Sequence, residues 1–234
     1  MLVPILPMKM NIMERWDWLI ILDACRYDFF EKNWSRGVLE ARLSYGSCTV
    51  EFLNNIPPIP DSILITGHPF PLKRKDKFTK IIDVGFDYNL STSPPQYITR
   101  YVLNHFFYLK KYRRKVLWYL QPHHPYIGKT RLDVPIYAEK RPSGFTAERE
   151  TIARLKWAKK HGILEQAYED NLKLALSEIK KILPLMKGRV IITADHGEGL
   201  GIPLRLQDRP VFSHPCGRKE WEVRLVPWCI IDNF

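Results

Sequence analysis

Nowhere does the sequence carry an apolar run approaching the roughly 20 residues that a bilayer-spanning helix needs. The opening segment, Met1 to Met8, is too short and too broken by proline for a secretory signal, so a soluble cytoplasmic protein is expected. Cysteine is sparse: Cys25, Cys48, Cys216 and Cys229 are scattered with no CxxC pair, which points to free thiols and not to a disulfide framework. There is no internal repeat. Acidic residues are the minority charge, 25 against 36 basic, and the net charge of +11 favours anionic partners. Phosphorylated or sulfated substrates, nucleic acid and an acidic membrane surface all qualify, and charge alone does not choose among them.

What is present is enough for a substantial core: 234 residues, 45% hydrophobic and 12% aromatic, in one domain with room for a modest insertion. The stretch around which the chain is organised is Val190-Ile191-Ile192-Thr193-Ala194-Asp195-His196-Gly197-Glu198-Gly199. Its β-prone start predicts a buried strand, which breaks directly into an acid, an imidazole and glycines. In an open α/β sheet, ligands bind beyond the carboxyl ends of strands, so Asp195 and His196 stand where such a fold does its chemistry. Gly197 and Gly199 are expected to let the backbone approach a bound group.

Other strand ends carry polar residues too. Trp18 to Leu22 runs into Asp23, which reads either as a metal ligand or general base on a rigid strand tip, or as the cap of a helix from Tyr27 to Trp34. Leu39 to Leu43 leads to Ser44-Tyr45-Gly46-Ser47-Cys48-Thr49, a loop-to-helix junction that suits anions and whose hydroxyls also read as ordinary caps. Ser62 to Thr66 is a strand ending at His68, read as a loop residue, and Phe78 to Val84 follows as another strand. Val116 to Leu120 ends in Gln121-Pro122-His123-His124-Pro125-Tyr126, where adjacent histidines must point apart, so one can be catalytic and its neighbour structural.

Between these strands lie helices. One opens at Ser91 or Ser93 and places Ile98, Tyr101, Val102, His105, Phe106 and Leu109 on an apolar face, making His105 a core histidine. A second runs from Thr146 to Lys160, and a third carries the stripe Tyr168, Leu172, Ala175, Leu176, Ile179 and Leu183. The segment 127–162, which includes Lys140 and Arg141, reads as an inserted lid over the active face or as a peripheral helix without a role. His214 sits among turn residues, and Val223 to Ile231 forms a last strand that Pro227 marks as bulged or at an edge.

This alternation predicts an α/β fold, a three-layer sandwich with a largely parallel central sheet. Right-handed crossovers then bring the carboxyl ends of the strands, with Asp23, Thr49, His124, Asp195 and His196, to one edge. Two carboxylates, an imidazole and a hydroxyl suit a divalent cation such as zinc or manganese, which would activate the hydroxyl as a nucleophile toward an anionic ester.

In this order, Leu22-Asp23-x-x-Arg26, Gly46-x-x-Thr49, Pro122-His123-His124-Pro125-Tyr126, Tyr168 to Leu172, Thr193-x-Asp195-His196-Gly197-Glu198-x-x-Gly201, His214-Pro215 and Val226-Pro227 resemble the sulfatase-like branch of the alkaline phosphatase superfamily. The likeness is greatest to its short archaeal members and covers nearly the whole chain. The resemblance implies an alkaline phosphatase-like fold and a metal held by Asp23, Asp195 and His196, with Thr49 touching it as the nucleophile. It implies that His124 and His214 contact the transferred group, protonate a leaving group or bind a second ion, and that Arg26 faces the anion. The implied cofactor is zinc or manganese, with calcium and magnesium as further candidates, and the implied substrate is an anionic small-molecule or lipid-like ester.

Three departures shift the expectation within the family. Cys48 is followed by Thr49-Val50-Glu51-Phe52 and lacks the arginine of the C/S-x-P/A-x-R motif that true sulfatases convert to formylglycine. Ala24 stands where many sulfatases carry a second acid, and the family's long C-terminal subdomain has no counterpart. Together these favour hydrolysis or transfer of phosphoesters or phosphodiesters over sulfate ester hydrolysis. The competing readings are a small sulfatase and a non-catalytic anion or nucleic-acid binding module, the latter suggested by the net charge and by Lys110 to Lys115. A Cys48 thiol enzyme lacks matching histidine and amide or acid spacing.

Overall fold

The computed structural model describes residues 7–132 and 144–233. Its strands are β1 (Met8–Lys9), β2 (Trp18–Leu22), β3 (Val38–Leu43), β4 (Ile59–Thr66), β5 (Phe78–Asp83), β6 (Arg114–Tyr119), β7 (Gly188–Ala194), β8 (Gly199–Leu200), β9 (Phe212–Ser213) and β10 (Leu225–Asn233). Its α-helices are α1 (Tyr27–Asn33), α2 (Thr49–Asn55), α3 (Pro95–Leu109), α4 (Gly144–Lys160), α5 (Leu164–Ile182) and α6 (Trp221–Arg224). One sheet runs β1-β3-β10-β7-β2-β6-β4-β5, with β8 and β9 paired separately.

β2 lies in the middle of the sheet, parallel to both β6 and β7, and all five of its residues are buried. A strand covered on both faces must be apolar throughout, which is why Trp18-Leu19-Ile20-Ile21-Leu22 shows no alternation. The adjacent side chains Trp118 and Tyr119 of β6 point to opposite faces. Trp118 meets Phe52 of α2 edge-on at 5.5 Å, while Tyr119 lies near Thr99 of α3 and Glu178 of α5. Helices therefore cover both faces, and the expected three-layer sandwich with a largely parallel sheet is what the chain forms.

Several local expectations are corrected. β10 lies between β3 and β7, antiparallel to both, and is not at an edge. Pro227 is accommodated because the pairing with β7 begins one residue later, at Trp228, while the Pro227 carbonyl accepts a 2.7 Å hydrogen bond from Thr193 Oγ1. His105 is exposed: α3 leaves helical geometry there (φ −122°, ψ 19°), so the ring swings off the buried Ile98, Val102 and Leu109 stripe and stacks on Tyr101 at 4.2 Å. The same helix is entered at Pro94, not at Ser91 or Ser93. Of the expected lid, residues 133–143 lie outside the described residues, Lys140 and Arg141 among them. The helix expected from Thr146 to Lys160 is α4.

Cysteine is the clearest reversal. Cys48 and Cys216 form a disulfide, while Cys25 and Cys229 are free and buried. Their separation of 168 residues hides the pair in the sequence. The fold closes that distance by seating the start of α2 against the turn after β9.

Candidate metal centre

Parallel register places Leu22 beside Ala194, so Asp23 and Asp195 leave β2 and β7 side by side at one edge of the sheet. Asp23 is no helix cap, because α1 is capped at Arg26 without a side-chain bond. Its N–H still donates to Tyr119 O at 3.0 Å, which keeps it in line with the sheet. Ala24 then turns into the left-handed region (φ 59°), and its N–H donates to Asp195 Oδ1 at 3.2 Å. Asp23, Asp195 and His196 each offer one ligand atom, all within 4.8 Å of one another, and all three residues are buried.

The hydrogen bonds divide the carboxylate oxygens. Asp195 Oδ1 accepts from the backbone N–H groups of Ala24 and His196 (3.2 and 3.0 Å), while Oδ2 accepts from Thr49 Oγ1 at 2.8 Å. His196 Nδ1 donates to Gly197 O at 2.7 Å, so Nε2 turns a lone pair inward, 3.2 Å from Thr49 Oγ1 and 3.4 Å from one oxygen of each aspartate. Asp23 Oδ1 is buried without a hydrogen-bond partner. An orphaned carboxylate oxygen, a second carboxylate oxygen, an imidazole lone pair and a hydroxyl converging in a dry site are the donor set a divalent cation takes. The residues fit the metal.

The electrostatics are those of a site built for charge. Burial pushes the Asp23 carboxyl up, but the imidazoles of His123, His68 and His196 reverse this and hold it well below the usual carboxylate range. Asp195 is raised, first by burial and then by the neighbouring Asp23 charge, against the opposing pull of His196. Two acids this close resist joint ionisation, and a cation between them removes that conflict.

Across the site stand three histidines. His123 and His124 stack at 4.1 Å, between cis peptide bonds at Pro122 and Pro125. Asn171 on α5, fully buried, holds this turn: Nδ2 lies 3.1, 3.0 and 3.4 Å from the carbonyls of Pro122, His123 and Pro125, and Oδ1 accepts from Ile127 N at 3.0 Å. The β8–β9 pair returns the chain so that the His214 ring comes within 4.4 Å of His196 and 4.8 Å of His123. His214 Nδ1 sits 3.1 and 3.2 Å from the two oxygens of buried Glu198, and His124 Nδ1 sits 3.9 Å from the same carboxylate. Burial works against a charged His214, yet Glu198 overrides it and raises this imidazole to about 9.

The expected site residues Asp23, Thr49, His124 and His214 all line one cavity of about 590 Å³. Arg26 does not. It is fully buried, pairs bidentately with Asp28 at 2.9 and 2.8 Å, and spends Nη1 on the carbonyls of Glu198 and Ile202. A guanidinium so engaged braces the loop after His196 and does not reach the cavity wall, so the expected catalytic role of Arg26 is corrected. Gly197 and Gly199 are also reassigned: a Cβ there would lie 2.1 Å from Glu222 O and 2.4 Å from Ser213 O, so each serves close backbone packing and not approach to a ligand. Ser47 turns away to Glu51 and Pro215 O, and Cys48 caps α2 from within its disulfide, which leaves Thr49 as the hydroxyl in the cluster. From the sequence alone Glu198 and Asn171 have no assigned role, His68 reads as a loop residue and His123 stays open beside His124. Glu198 carries a signal in the Asp-His-Gly-Glu motif, His123 in the paired histidines and Asn171 in the stretch Tyr168 to Leu172.

Fold and donor set define a three-layer α/β protein with a candidate metal centre at the carboxyl edge of its sheet. No family model and no curated protein matches the chain. Solved structures do. The chain is similar to the integral membrane lipooligosaccharide phosphoethanolamine transferase A (EptA) of Neisseria meningitidis, with a TM-score of 0.53 at 12% identity, covering 97% of this chain and 50% of that one. It is similar to BT1596, a 2-O GAG sulfatase, with a TM-score of 0.54 at 13% identity over 97% of this chain and 64% of the other. The lipoteichoic acid synthase LtaP of Listeria monocytogenes gives a TM-score of 0.51 at 10% identity, over 92% and 64%. The chain thus spans about half the length of the transferase and under two thirds of the other two, and the likeness is one of fold. Among the described residues no helix is long and apolar enough to cross a membrane.

Proposed function

We propose that the protein is a metal-dependent hydrolase or transferase of phosphoesters or phosphodiesters that uses Thr49 as its nucleophile. The observation that carries this reading is the position of Thr49 Oγ1, 2.8 Å from Asp195 Oδ2 and 3.2 Å from His196 Nε2. Asp23, Asp195, His196 and Thr49 would hold the cation, which supplies charge neutralisation and lowers the pKa of an oxygen nucleophile. Asp195 Oδ2 already accepts the Thr49 hydroxyl proton's hydrogen bond, so it stands where that proton must leave. Thr49 attacks phosphorus, and the ester oxygen departs with a proton from His124 or His214. Water or an acceptor alcohol then releases the phosphoryl group from Thr49.

Zinc suits the site better than calcium. Asp195 Oδ1 is engaged by two backbone donors, so this carboxylate faces the cluster through one oxygen, and four inward atoms match tetrahedral coordination better than the six to eight oxygens that calcium takes. Phosphate is favoured over sulfate because Cys48, the residue nearest the sulfatase formylglycine position, is in a disulfide and cannot be oxidised to an aldehyde there. An anionic small-molecule or lipid-like ester is the fitting substrate, and the described part of segment 127–162 contributes Glu148 and Thr151 to the cavity wall as a lid would.

The test is metal analysis of the purified protein, followed by turnover of nitrophenyl phosphate, phosphodiester, phosphonate and sulfate esters. Phosphoester or phosphodiester turnover should lead, and Asp195→Ala or His196→Ala should remove both bound metal and turnover. Thr49→Ala should lower turnover on the order of a thousandfold or more. Turnover of the Thr49→Ala protein at the wild-type rate would refute the covalent route, and faster cleavage of the aryl sulfate would favour the sulfatase reading.

A further inference from the structure

His68 lies two residues past the end of β4, a strand two places away from β2, and nothing in the local sequence marks it as more than a loop residue. Its side chain is nevertheless buried, and Nε2 lies 3.0 Å from Asp23 Oδ2, close enough to pair although the angle falls short of a hydrogen bond, with no other partner. The other ring nitrogen decides the tautomer: Nδ1 faces the Phe70 N–H at 3.3 Å, and an imidazole nitrogen that accepts a hydrogen bond carries no proton. The proton therefore resides on Nε2, the nitrogen beside Asp23, and Nε2 has no lone pair to offer a metal.

We infer that His68 is the positioning residue of the metal site, donating from Nε2 to Asp23 Oδ2 so that Asp23 presents Oδ1 alone to the cation. This rests on the metal-centre reading above. Asp23 is 1% exposed, and a buried carboxylate oxygen left without a donor is costly. Oδ1, which has no partner, is free for a metal. His68 itself is anchored to the sheet: its N–H donates to Thr66 Oγ1 at 3.0 Å, Thr66 Oγ1 donates to Trp118 O at 2.8 Å, and the ring meets Trp118 edge-on at 6.0 Å. The orientation of Asp23 is in this way fixed from β4 through β6, independently of the loop that carries Asp23.

The experiment is calorimetric titration of zinc chloride into the wild-type protein and into His68→Leu, His68→Gln and His68→Asn, with thermal melts of the metal-free forms as the folding control. The glutamine amide reaches the position of Nε2 and can donate to Asp23, whereas the shorter asparagine cannot. His68→Leu and His68→Asn should each weaken zinc binding 10- to 100-fold, as loss of an outer-shell donor does, and His68→Gln should recover most of it. If His68→Leu does not fold, the contrast between glutamine and asparagine decides the question without it. Wild-type zinc affinity in the asparagine variant would overturn the inference, and so would equal loss in glutamine and asparagine, which would mean that ring shape and not the donor matters. A wild-type protein that binds no zinc or manganese would overturn the metal-centre reading itself and this inference with it.

Discussion

Asn171 holds the turn that carries two of the candidate site's histidines, without touching a reacting atom. Its amide reaches three carbonyls of the turn that carries His123 and His124, and its oxygen serves the next N–H along. Removing it leaves several buried backbone groups unpaired, each costing on the order of 1–3 kcal/mol when it cannot reach water. Asn171→Leu should therefore lower stability in urea melts by about 2 kcal/mol or more, and in protein that remains folded kcat should fall more than KM rises, because the histidines lose their placement and not the substrate its cavity. At the same scale, Thr49→Ser keeps a hydroxyl at the cluster and should retain measurable turnover where Thr49→Ala does not.

Among elements, α2 is the one whose position matters most. Its first residue is Thr49, and its N-terminus is tied to the His214 turn three ways: by the Cys48–Cys216 disulfide, by Ser47 Oγ to Pro215 O at 3.0 Å, and by Gly217 N–H to Glu51 Oε1 at 2.6 Å. Thr49 and His214 are thus parts of one clasped unit. A cross-link closing so long a loop contributes on the order of 3–5 kcal/mol by restricting the unfolded chain, so the Cys48→Ser, Cys216→Ser double variant should show a urea midpoint lowered to match. The disulfide also weighs against the expected reducing compartment, where thiols are kept free.

α5 offers a pH test. Burial pushes the Asp170 carboxyl up, but hydrogen bonds from Thr130 and Gln166 outweigh it and leave its pKa below the ordinary value of 3.8. A depressed folded-state pKa gives stability that is present above the unfolded value and is lost as pH falls through the folded one. Asp170→Asn should accordingly lower the melting temperature at neutral pH, and the difference from wild type should vanish at strongly acidic pH.

For the molecule as a whole, the candidate metal centre joins β2, β7 and the start of α2, elements that are apart in the chain and must all be in place for a cation to bind. A cation that binds the folded chain alone stabilises it by about 2.7 kcal/mol at a hundredfold excess over its dissociation constant, which for a chain of this size is about 5–10 °C. Zinc or manganese should therefore raise the melting temperature by that amount, a chelator should reverse it, and Asp195→Ala should abolish the response.

The sequence by itself determined the long strands and helices of the main sheet and brought most of the candidate residues to the edge where they meet, while the short β1, β8, β9 and α6 went unread. Continuous apolar runs such as Trp18–Leu22 admit only a strand covered on both faces, and a strand ending in Asp195-His196 states its chemistry locally. What only the tertiary structure decided were the pairings across long separations: Cys48 with Cys216, His68 with Asp23, Asn171 with the His123–His124 turn, and Arg26 turned from an anion to Asp28 and the carbonyls of Glu198 and Ile202. Residue type and spacing encode periodicity and turn chemistry over a few residues. Which donor finds which acceptor across the sheet depends on strand order and register, and those are set by the packing of the whole chain.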